Sequence, residues 1–128
     1  MAENKFNKYF KFYLISLFFF SVIYLINKHD VGNDSTISEW LINYSGGFTK
    51  RGLIGQICIL TANFFESNLR DIVLIFQILL VSFYLFLIHK LTLNLKTNKI
   101  LILSLYTPIF LLYPVAEIEV LARKDIFI

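Results

Sequence analysis

Asp30, Lys50, Arg51, Glu117 and Glu119 are the residues of this 128-residue sequence whose types suit chemistry on a phosphate-bearing substrate. Carboxylates ligate hard divalent cations through oxygen. One carboxylate can also take the proton of an attacking hydroxyl while a cation neutralises a phosphate leaving group. Lys50 and Arg51 supply charge-assisted donors to phosphate oxygens. The expectation is therefore Asp30 as base or metal ligand, Glu117 and Glu119 as ligands of Mg²⁺ or Mn²⁺, and Lys50 with Arg51 as the phosphate grip. A loop carboxylate taken singly is more often just solvated, so the weight rests on the set.

The string around the two cations is the most specific in the chain: Tyr44-Ser45-Gly46-Gly47-Phe48-Thr49-Lys50-Arg51-Gly52-Leu53-Ile54-Gly55. Paired glycines let peptide N–H groups approach an anion closely, and the following helix start favours negative charge. A nucleotide P-loop is excluded, because Leu53 stands where that loop needs its lysine. The plainer reading of the same residues is a glycine turn with Lys50 and Arg51 against phospholipid headgroups. His29 and His89 are expected on opposite faces of a membrane and so cannot share a metal. Cys58 is the single cysteine, which rules out an intrachain disulfide or a cysteine-based zinc site.

The elements that must position these groups are apolar. Runs over 12–26, 72–88 and 100–116 are nearly free of charge, and the chain is 57% hydrophobic, 17% aromatic and 16% charged. Crossing a hydrocarbon core of about 30 Å takes about 20 helical residues, and flanking Tyr9, Lys11, Lys28, Tyr44, His89 and Lys90 extend each run by lying at the headgroups. The sequence thus predicts an all-α polytopic membrane protein with spans over about 10–27, 71–89 and 100–116. Pro108 and Pro114 are expected to kink or end the third span. A cleaved signal peptide is disfavoured, since Asn27-Lys28-His29-Asp30 follows the first run instead of a small-residue cleavage site. A soluble core helix is disfavoured by the low share of charge.

Lys5, Lys8 and Lys11 precede the first run, and Lys90, Lys96 and Lys99 separate the second from the third. Both segments are therefore expected on the cytoplasmic side, which leaves a long outer loop over 28–70 and collects most of the acids outside. Within that loop, Ser35 opens a short helix, and 51–65 forms a second one lying in the interface, too short to span. The formal charge of +3 is explained by lysines beside the spans, so no nucleic-acid partner is expected. The apolar run opening at Ile126 reads as the start of a fourth span, and the expectation is a piece of a longer protein.

The string at 44–55, followed by the residues from Glu117 to Asp125, resembles the amino-terminal part of polytopic membrane proteins of bacterial surface-polysaccharide clusters. More broadly, the chain resembles the membrane-embedded GT-C-like glycosyltransferases that use polyprenyl-phosphate sugars. Those carry an acid after the first span, interfacial helices in a large outer loop, and a second acidic motif after the third span. Asp30, the 51–65 helix and Glu117-Ile118-Glu119 match those three places. The resemblance implies a glycosyltransferase or polysaccharide polymerase of the bacterial inner membrane, its amino terminus cytoplasmic, with membrane lipid and a polyprenyl-phosphate-linked sugar as partners. Its departures are fewer spans, glutamates in place of the usual aspartate-containing pairs, and no acceptor-binding domain. The alternative is a small non-enzymatic membrane protein or accessory subunit.

Overall fold

The computed structural model describes residues 2–31, 35–45, 47, 52–93, 99–115 and 121–122. These form six helices: α1 (Ala2–His29), α2 (Ser35–Ser38), α3 (Gly52–Phe65), α4 (Leu69–Thr92), α5 (Lys99–Leu105) and α6 (Pro108–Leu112). No strand occurs among the described residues.

The frame is the pair α1 and α4. Phe10, Leu14, Leu17, Ser21 and Leu25 of α1 recur at helical spacing and are buried, as are Val73, Gln77, Leu80, Val81 and Leu85 of α4. The opposite faces are just as apolar, with Phe12, Phe19, Phe20 and Ile23 exposed on α1 and Ile75, Leu79, Phe83 and Phe86 exposed on α4. The two helices run antiparallel: His29 at the end of α1 meets Asp71 at the start of α4, and Lys11 shares a groove with His89 at the other end. Gln77, the one amide inside the second apolar run, is turned away from the surface and is 1% exposed.

Two helices, Asn7–His29 within α1 and Leu69–Thr92, are long and apolar enough to cross a membrane. The expectation of three such helices is corrected here. The third run is broken into α5, seven residues long, and α6, five residues long. The cause is Pro108, which begins α6 and has no N–H to donate into a continuous helix. It also pushes the preceding residue out of helical geometry, and Thr107 is extended at φ −90°, ψ 113°. Helices this short leave end carbonyls without partners. Two of these are taken up by tyrosines from the main pair. Tyr13 Oη donates to Tyr106 O at 3.0 Å, and Tyr84 Oη donates to Leu111 O at 2.6 Å.

α3 falls within the helix expected over 51–65, and its 14 described residues rise too little to span. Its buried stripe consists of Gly52, Ile54, Gly55, Cys58 and Ala62, and Leu53, Leu60 and Phe64 face outward. Small residues let the backbone of another segment approach. A Cβ on Gly55 would stand 2.0 Å from Ile42 O and 2.9 Å from Trp40 O, so the 40–42 loop lies directly on this helix. α3 ends with Glu66 at φ 50° and with Ser67 N–H donating back to Ala62 O at 3.1 Å, the closure that usually employs glycine.

Candidate functional site

At the α1 terminus the backbone carbonyls that a helix leaves unpaired are claimed by one guanidinium. Arg70 Nη2 donates to Val31 O at 2.8 Å and also to His29 O. This draws the first turn of α4 onto the last turn of α1 and gathers four charged or titratable side chains. His29 Nε2 is 2.9 Å from Asp71 Oδ1, and His29 Nδ1 is 3.5 Å from Asp30 Oδ1. The two groups are close without an aligned hydrogen bond between them. His29 is the most enclosed of the three, with its side chain 22% exposed against 52% for Asp71 and 81% for Asp30. Lys28 turns back over the Tyr24 ring, 5.9 Å from its centroid.

Asp30 thus stands largely exposed at the end of the helix pair. Lys50, Arg51, Glu117 and Glu119 lie outside the described residues. No group of three or more His, Cys, Asp or Glu placed to hold a metal ion occurs among the described residues. His29 and His89 occupy opposite ends of the α1/α4 pair.

A second convergence lies on the same side of the fold. Trp40 is fully buried, its ring 6.5 Å from Phe76 of α4, and its Nε1–H donates to Ala122 O at 2.9 Å. Phe76 lies five residues in from Asp71, about 7.5 Å along the helix. Ala122 comes three residues after Glu119. The chain from Tyr106 to Ala122 thus travels along the helix pair, from the level of Tyr13 near Lys11 to the level of Phe76 near Asp71. α5 and α6 themselves stay near the Lys11/His89 end, since Tyr113 and Pro114, just past α6, still lie beside Leu91 and Thr92.

His29, Arg70, Asp71 and Trp40 were not candidates from sequence. The signal that would have found the first three is Arg70-Asp71 opening a helix opposite the His29-Asp30 ending of the preceding span. No protein-family profile matches the chain, and no curated protein and no solved structure matches it either.

Proposed function

We propose that this chain is an integral membrane protein whose acid-bearing end handles a lipid-linked sugar phosphate, as in glycosyltransferases or polysaccharide polymerases at the outer face of a bacterial inner membrane. The observation that carries the reading is the antiparallel α1/α4 pair. Only 28% and 33% of the most apolar stretches of its two helices are buried, where a soluble core helix would be mostly enclosed. Helices apolar all round are stable when lipid is the solvent. The pair keeps Lys8, Lys11 and Lys90 at one end, and Asp30 and Asp71 with Lys28 and Arg70 at the other. Lysines retained on the cytoplasmic side leave the acids facing outward.

In this reading Asp30 deprotonates the acceptor hydroxyl or ligates a cation, Glu117 and Glu119 hold Mg²⁺ or Mn²⁺, and Lys50 with Arg51 grip the lipid phosphate. The Trp40–Ala122 hydrogen bond supports it, because it ties the outer loop to the segment that follows Glu119. The test is transfer of sugar from a polyprenyl-phosphate donor by the membrane-inserted protein. Asp30→Asn is expected to lower transfer about a hundredfold at unchanged protein level, the scale of a general base. Equal transfer removes Asp30 from the chemistry, and no transfer by the unsubstituted protein favours the accessory-subunit alternative.

A further inference from the structure

We propose that the groove between α1 and α4 at the end opposite Asp30 is a binding site for an anionic phospholipid, its phosphate at Lys11 and His89 and one acyl chain between the helices. This rests on the membrane reading above but not on the sugar chemistry.

The groove is lined by successive helical turns of both partners, Leu14 and Phe18 of α1 facing Leu85 and Phe86 of α4, with Lys11 and His89 at its mouth. From Lys11 to Phe18 it runs two helical turns, about 10 Å along the pair. That is the geometry of a lipid: a charged head at the interface and an apolar cleft below it. The larger apolar groove beside α6, about 680 Å³ and lined by Tyr84, Ile88, Leu105 and Phe110 among others, has no charged side chain in its lining, so nothing there selects a headgroup.

The mouth selects by charge. Lys11 is a long ammonium whose stem can lie along the cleft while its head remains at the interface. His89 Nδ1 is sealed from solvent and has no hydrogen-bond partner among the described residues. With Nδ1 enclosed, Nε2 is the ring nitrogen left to meet a phosphate oxygen. Lys8 and Lys90 are exposed nearby on the same two helices and add positive potential at that end. Basic pockets between membrane helices on the cytoplasmic side take up such headgroups in general.

The test uses the full chain in micelles, titrated with phosphatidylglycerol or phosphatidylcholine and followed by native mass spectrometry. Retention of one phosphatidylglycerol in preference to phosphatidylcholine is expected. Lys11→Gln should weaken that retention about fivefold, the effect of one basic residue at a membrane surface. Ser82→Leu, which fills the groove and leaves every charge in place, should weaken it as well. Equal binding of the two lipids, or phosphatidylglycerol binding unchanged in both variants, overturns the site while the membrane reading stands. Release of the protein from membranes by alkaline carbonate without detergent overturns the membrane reading and the site together.

Discussion

Trp40 is the single tryptophan of the chain, and its indole N–H ends on a carbonyl 82 positions away. A headgroup anchor would keep that N–H wet, whereas here the ring is 0% exposed. The bond therefore replaces water for both partners. Trp40→Phe keeps most of the ring and removes the donor, which leaves the Ala122 carbonyl buried and unpaired. A loss of about 1–3 kcal/mol is expected, read as a lower melting temperature by circular dichroism in micelles. An unchanged melting curve would mean that Ala122 O finds another donor. At the same scale, Asp30 and Asp71 are not equivalent carboxylates. Asp71 approaches the enclosed His29 ring at 2.9 Å, while Asp30 approaches it at 3.5 Å and stays largely exposed.

Among the elements, α3 is the one whose composition is explained by what touches it. Gly52, Gly55, Cys58 and Ala62 are small where the helix is covered, and Leu53, Leu60 and Phe64 are large where it is not. Gly55→Ala would place a methyl group 2.0 Å from a backbone oxygen, and backbone cannot swing aside as a long side chain can. The 40–42 loop must then lift from α3, at about 3 kcal/mol. Emission from Trp40 should shift to the red as its pocket opens, and an unshifted spectrum would mean that the loop does not rest on Gly55. The third run shows the converse dependence. Pro108 breaks it, and Tyr13 reaches across from the main pair to the Tyr106 carbonyl at the break while Tyr84 takes the Leu111 carbonyl at the end of α6. In lipid such carbonyls have no water to turn to.

For the molecule as a whole, the antiparallel pair makes a topological prediction. In a Cys58→Ala background, Asp30→Cys should react with a membrane-impermeant maleimide added to intact cells, and Lys90→Cys should not. Reaction at both positions would contradict the opposite placement of the α1/α4 ends and the outward acids. The proposed constellation asks more, since Glu117 must return to the side of Asp30. The described contact that bears on that return is the Trp40–Ala122 hydrogen bond, three residues beyond Glu119.

Much of this architecture is local and was legible in one sequence. The lengths of the first two apolar runs, the helix after Arg51, the short helix opened at Ser35 and the interruption at Pro108 follow from propensity, hydropathy and the missing proline N–H, all properties of neighbouring residues. The third run misled by hydropathy, because its length suits a span while Pro108 divides it. What only the tertiary structure decided is who meets whom: Arg70 on the carbonyls of His29 and Val31, Trp40 on Ala122, Gly55 under Ile42, Gln77 turned inward. Those partners lie far apart along the chain, and the side chains involved carry no local mark of the choice. Their positions depend on how two nearly uniform apolar helices rotate against each other, which packing settles and hydropathy leaves open.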